Sequence, residues 1–167
     1  NQTNINSIYA VGDVTGPPWL AHVASAQGII AAEHIAGITP NPINYSNIPS
    51  CTYCYPEVGS IGLTEEKAID AGYDVKVGRF FLKANGKSMA TGETNGLLKL
   101  IFESKYGELI GAHIVGSNAT ELIGELGIAI SLEARWEDLA FQIHAHPTLS
   151  EAIMEASMDA FSSSIHQ

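Results

Sequence analysis

The chain has 167 residues, with 8 Lys and Arg against 18 Asp and Glu and a formal charge of −10. With a sequence pI near 4.9 and no cluster of basic residues, it lacks the means to bind a polyanion by counterion release, which excludes nucleic acid as a partner. No apolar run approaches the roughly 18 residues of a membrane span, and Asn1-Gln2-Thr3-Asn4 has neither the basic nor the apolar region of a secretion signal.

Charged residues are only 16% of the chain, against about 25% in an average globular protein. The supply of charge for a surface is thin, so a partner is expected to cover part of it. The chain does not begin with Met and is expected to be a piece of a longer polypeptide.

In chain order, Ser7-Ile8-Tyr9-Ala10-Val11 reads as a short buried strand that stops at Gly12-Asp13. After Thr15-Gly16-Pro17-Pro18, an Ala-rich run predicts a helix from about Leu20 to Ala36, with Gly37 as its left-handed cap. Residues 38 to 49 hold prolines and asparagines without periodicity, which places a linker and boundary there. A strand is predicted from Ile48 to Tyr55, blocked by Pro56. Thr64 is set to cap a short helix that carries Glu65 and Glu66 in its first turn and ends at Gly72. Glu65 and Glu66 read as a solvated helix start.

Strands follow at Tyr73–Leu82, Gly96–Glu103 and Glu108–Val115, the last two joined as a hairpin through Ser104-Lys105-Tyr106-Gly107. Asn118 and Glu121 have capping-box spacing ahead of a helix whose Leu122, Ile123, Leu126 and Ile130 form one apolar stripe. A short helix is predicted near Trp136–Gln142. A last helix follows Pro147, with Thr148 and Glu151 as another capping box, and runs toward Phe161. Strands followed by helices predict an α+β fold with helices packed on one side of an antiparallel sheet, preceded by the strand-loop-helix unit.

The densest chemical pattern is His144-Ala145-His146-Pro147-Thr148-Leu149-Ser150-Glu151. A His just before a helix, with a carboxylate in the first turn, can be held in one tautomer: the Glu accepts from one ring nitrogen and leaves the other to take a proton. The same residues also read, more commonly, as a capping box beside a half-buried His. Cys51-Thr52-Tyr53-Cys54 lies in a β-prone run and opens no helix that could lower a thiol pKa, so the two cysteines are expected to be structural. Joined to His144 and His146 they would make only an incomplete zinc signature. Gly111, Gly116 and Gly124 could permit close packing, and no GxGxxG or GxxxxGK phosphate loop occurs.

HAHPTLSEA, with IYAVGDV near the start and YPEVGSIGLTEE between them, resembles the C-terminal third of the dihydrolipoyl dehydrogenases, in the pyridine nucleotide-disulfide oxidoreductase family. The likeness covers nearly the whole chain, in the family's order. It implies that His146 is the acid/base and Glu151 its paired carboxylate, acting on dihydrolipoamide so that the resulting thiolate attacks a redox disulfide while electrons pass through FAD to NAD. It implies too that this His serves the active site of the opposite subunit. His144 matches no chemical role and is expected to be structural.

Gly12 and Asp13 resemble the second FAD signature, with Asp13 toward the ribityl chain. Trp19, Leu20, Ala21 and His22 match the helix start that offers backbone contacts to the isoalloxazine, Trp19 being bulkier than the family pattern. On this resemblance residues 1–44 are the end of an FAD domain and 45–167 an interface domain that forms a homodimer. The parent would use FAD and NAD, meet lipoyl domains of 2-oxoacid dehydrogenase complexes, and work in the bacterial cytoplasm, or in a mitochondrial matrix or plastid stroma if eukaryotic. The chain alone is expected to keep neither cofactor and to be inactive, and no metal is expected. Alternatives are a glutathione- or mercuric-reductase-like relative, and a non-enzymatic dimerisation or metal-binding module using Cys51, Cys54, His144 and His146.

Overall fold

A computed structural model describes residues 1–161 and 164–166. The chain forms two compact units, Asn1–Ile48 and a second from Pro49 onward. In the first, helix α1 (Ala21–Ile35) forms where the Ala-rich run predicts it, and Gly37 at φ +76° closes it with its N–H on the His34 carbonyl. The predicted strand Ser7–Val11 is not formed. Tyr9 alone makes a bridge, to Gln2, and Ile8 and Val11 are exposed. A run of β-branched and aromatic residues becomes a strand only beside a partner with which to share its ladder, and among the described residues this run pairs only with Asn1–Thr3, through a single bridge and two flanking bonds.

The second unit is a five-stranded antiparallel sheet in the order β1-β2-β5-β4-β3, made of β1 (Ser50–Thr52), β2 (Glu57–Gly62), β3 (Val75–Phe81), β4 (Leu97–Glu103) and β5 (Leu109–Gly116). β3, β4 and β5 lie within a residue or two of their predicted positions, and the Glu103 carboxylate holds the β4–β5 turn by accepting from the Lys105 and Tyr106 N–H groups. The strand expected over Ile48–Tyr55 shrinks to three residues. β2, which carries Gly59 and Gly62, forms where none was expected.

Two helices cover one face of the sheet: α4 (Ala119–Ser131) lies over β2 and β5, and α6 (Glu151–Ala160) over β3 and β4. Period-2 alternation turns Phe80, Leu98, Leu100, Phe102 and Ile114 toward them, and these pack with Leu126 and Ile153 in the core. Burying each such side chain contributes about 1.5–3 kcal/mol. The opposite face carries Arg79 and Lys99, which reach Glu65 of α2 (Glu65–Asp70) at 3.1 and 2.6 Å. Glu65 is therefore an ion-pair hub where the sequence suggested only a solvated helix start, and its carboxyl lies below the ordinary range, chiefly through the Lys99 hydrogen bond. α2 is capped as expected, by Thr64 Oγ1 accepting from Lys67 N–H at 3.1 Å.

Close helix–sheet approach depends on two glycines. A Cβ on Gly59 would stand 2.6 Å from the Ala119 carbonyl oxygen of α4, and one on Gly78 would stand 1.8 Å from the Ala156 oxygen of α6. Ala152 and Ala156 supply the matching small surface on α6. Short α5 (Trp136–Ala140) precedes α6 as predicted, and Trp136 stacks on Phe161 with 4.5 Å between ring centroids. The short helix α3 (Gly86–Thr91), capped by Asn85 Oδ1 accepting from Ser88 N–H, was not foreseen.

The expected Asn118–Glu121 capping box is absent. Asn118 sits at φ +58° with no side-chain cap, and Glu57 of β2 takes its place by accepting from Thr120 N–H at 3.1 Å and Thr120 Oγ1–H at 2.8 Å. An anionic carboxylate at a helix N-terminus meets both the unpaired donors and the dipole, so a residue 63 positions away can do the work of a local cap.

Candidate active site

His146 lies on the irregular segment between α5 and α6, followed by a cis His146–Pro147 bond, and Glu151 is the first residue of α6. Core packing of α6 against Gly78 fixes where Glu151 stands, and the helix N-terminus favours its negative charge. His146 Nδ1–H donates to Glu151 Oε1 at 2.8 Å, and Thr148 N–H donates to Glu151 Oε2 at 2.8 Å. An ionised carboxylate is acceptor-only, so this contact assigns the proton to Nδ1 and leaves Nε2 as the acceptor. The His146 side chain is 76% exposed and that of Glu151 only 22%. A half-buried carboxylate thus holds an outward-facing imidazole.

The Thr148–Glu151 box is half formed: Thr148 N–H meets the carboxylate, but Thr148 Oγ1–H donates instead to the Ala145 carbonyl at 2.7 Å. Beside the pair is a cavity of about 240 Å³ whose wall includes Asn85, Gly86, Met89 and Met154.

Burial pushes the Glu151 carboxyl up, but the Thr148 N–H and the His146 ring outweigh it, with a smaller pull from His144, and the carboxyl is held below its ordinary value of 4.5. A folded-state pKa below the unfolded one means that the pair contributes stability above about 4.5 and loses it as pH falls through the lower folded value. The stability difference between the wild type and E151Q is therefore expected to be constant near neutrality and to shrink on acidification below pH 4.5. Urea unfolding at a series of pH values measures it, and a difference that grew with acid would contradict the pairing.

Three residues that hold this region were not found by sequence reasoning. Asn85, 4% exposed, donates through Nδ2 to the Thr148 carbonyl at 3.0 Å and so ties α3 to the His146 loop. Glu125 of α4 accepts from His144 Nε2–H at 2.8 Å. Glu155, one helical turn beyond Glu151 and buried, accepts from His166 Nδ1–H at 2.6 Å. A Glu at i+4 from Glu151 was a visible signal for the last, while Asn85 and Glu125 gave none.

In the first unit, Gly12 at φ +77° donates its N–H to Gln27 Oε1 at 2.7 Å, and Asp13 follows in a one-turn 3-10 helix with its side chain exposed. Gln27, also unforeseen, is buried and donates to Thr15 Oγ1 and Tyr45 Oη as well. Leu20 is the N-cap of α1 and supplies no side-chain cap, Ala21 and His22 form its first turn, and Trp19 stands exposed just before it. An exposed carboxylate beside a glycine turn, together with a helix N-terminus that its own N-cap side chain leaves open, fits a ligand carrying hydroxyl groups and negative charge.

The cysteines are not in this chemistry. Burial raises the Cys51 thiol, Glu57 and Glu121 raise it further, and exposed Cys54 donates to the Pro56 carbonyl at 3.0 Å. At Cys51 these effects disfavour the thiolate that redox work and metal binding need. Among the described residues no group of three or more His, Cys, Asp and Glu is placed to hold a metal, so Cys51, Cys54, His144 and His146 do not form one site.

The model of the pyridine nucleotide-disulphide oxidoreductase dimerisation domain matches residues 48–157. The chain belongs to that family. It is 51% identical over 162 residues to a dihydrolipoyl dehydrogenase of Rhizobium etli, with 96% of this chain and 34% of that protein covered. It is 48% identical over 166 residues to the dihydrolipoyl dehydrogenase of Zymomonas mobilis, with 99% and 36% covered. Among solved structures, LpdA of Mycobacterium tuberculosis superposes with a TM-score of 0.86 at 28% identity, over 93% of this chain and 34% of that one. The Escherichia coli flavoprotein disulfide reductase RclA shares the fold, with a TM-score of 0.87 at 24% identity, over 92% and 36%. The chain spans about a third of the length of the curated relatives it matches. No helix among the described residues is long and apolar enough to cross a membrane.

Proposed function

We propose that this chain is the acid/base-bearing, dimer-forming part of a dihydrolipoyl dehydrogenase, which oxidises protein-bound dihydrolipoamide to lipoamide with reduction of NAD. The observation that carries the reading is the 2.8 Å contact from His146 Nδ1 to the shielded Glu151 carboxylate, which turns Nε2 outward as a base. Nε2 takes the proton from a dihydrolipoamide thiol as the thiolate forms, and Glu151 stabilises the imidazolium that results. The thiolate is then the nucleophile toward a redox disulfide that the family carries outside this stretch. In a homodimer built through residues 45–167, His146 would serve the sulfur centre of the other subunit.

FAD, when bound, supplies the electron acceptor that links the dithiol to NAD. Asp13 and Gly12 would hold its ribityl region, and the backbone at Trp19, Leu20, Ala21 and His22 would meet its ring system, so residues 1–44 are the end of an FAD domain on this reading. The exposure of Val14, Trp19, Ile29 and Ile35 supports a larger body around this unit. The partners are lipoyl domains of 2-oxoacid dehydrogenase complexes. The compartment is the bacterial cytoplasm, a reading supported by relatives from Rhizobium etli and Zymomonas mobilis.

A base with no electron acceptor cannot turn over. The purified 167-residue chain is expected to form no NADH from dihydrolipoamide and NAD, while the full-length protein that carries it does so. Lipoamide-dependent NADH absorbance measures both, and a full-length protein without that activity would remove the assignment.

A further inference from the structure

His144 faces inward where His146 faces out. Its side chain is 7% exposed, and Nε2–H donates to Glu125 Oε1 of α4 at 2.8 Å. Its other nitrogen, Nδ1, is buried and has no hydrogen-bond partner among the described residues. The Glu125 carboxylate is therefore the polar contact that keeps this imidazole inside. Without it the ring would hold two stranded polar atoms and would gain by swinging toward water. Only Ala145 separates His144 from the base, and the Ala145 carbonyl accepts from Thr148, whose own N–H and carbonyl are held by Glu151 and Asn85. Movement at 144 thus reaches Nδ1 of His146 through a short segment pinned at Ala145 and Thr148.

We propose that Glu125 is a positioning residue for His146: by anchoring the buried His144 ring to α4, it fixes the upstream flank of the base and so maintains the His146–Glu151 contact. This rests on the acid/base reading of that pair. Neither Glu125 nor His144 touches substrate; their effect passes through the geometry of the segment from 144 to 148.

The readout is the tautomer of neutral His146, measured by two-bond nitrogen–proton correlation on the full chain labelled with 15N-histidine, with cooperative thermal unfolding recorded for each variant. Wild-type His146 is expected to be mainly in the Nδ1–H form. E125A is expected to lower the ratio of Nδ1–H to Nε2–H by about tenfold, as the loss of about one hydrogen bond does. H144F, which fills the same space without the bond, should act alike, and E125Q, whose amide oxygen still accepts from His144, should restore the ratio. A ratio that falls in E151A but is unchanged in E125A and H144F would overturn the positioning role alone. Wild-type His146 mainly in the Nε2–H form would overturn the Glu151 pairing and this proposal with it.

Discussion

Gly78→Ala is expected to destabilise the second unit by about 3 kcal/mol, at the upper end of what overpacking costs. The added methyl would lie 1.8 Å from the Ala156 oxygen and 2.9 Å from the Ala160 nitrogen. Both are backbone atoms of a helix or its end, so no side-chain rotation relieves the clash and α6 has to lift from β3. Lifting α6 uncovers Ile153 and Ala156, which are fully buried, and carries Glu151 away from the loop that bears His146. Loss of stability and loss of the dyad should therefore appear together. Gly124→Ala is the matched control: a Cβ there meets nothing within 4 Å, and in the interior of α4 alanine is preferred over glycine by about 1 kcal/mol. Urea midpoints of the two variants should move in opposite directions, and equal midpoints would mean that the helix is not seated on Gly78.

Local signals were legible wherever the physics is local. Thr64 caps α2, Gly37 ends α1 and the β4–β5 hairpin turns at Gly107, because each involves groups a few residues apart. The His146–Glu151 pair was legible for the same reason, its partners being five residues apart across a helix start. What escaped depends on contacts between distant residues. Gly59 and Gly62 look like strand breakers in a linear reading, yet β2 pairs along its length with β5, and the lack of a Cβ at Gly59 makes room for the backbone of α4. The cap of α4 comes from Glu57 rather than from Asn118, and the anchor of His144 comes from Glu125, 19 residues earlier.

The Ser7–Val11 run shows the opposite error. Its composition suits a buried strand, but its neighbours leave Ile8 and Val11 at the surface. The Gly12–Asp13 turn it leads into is nevertheless built, and Gln27 of α1 holds it by an interaction that composition does not reveal.

His146→Gln in the full-length protein is expected to lower dihydrolipoamide turnover by about 100- to 10,000-fold, the range that a positioned general base contributes. Glutamine can still donate to Glu151 and fill much of the space, but it has no nitrogen able to accept a thiol proton at neutral pH. The defect should therefore lie in kcat and kcat/KM together, with little change in folding stability, because the His146 side chain is largely exposed. Glu151→Gln should be milder, since it leaves the base in place and removes only the charge that orients it. The most direct measurement is the rate at which dihydrolipoamide reduces the H146Q enzyme in a single anaerobic turnover, compared with reduction of the same enzyme by NADH, which requires no thiol deprotonation. A slowing of at least about 100-fold with dihydrolipoamide and a near-normal rate with NADH is the predicted result; equal rates with both reductants in wild type and variant would contradict the role of His146.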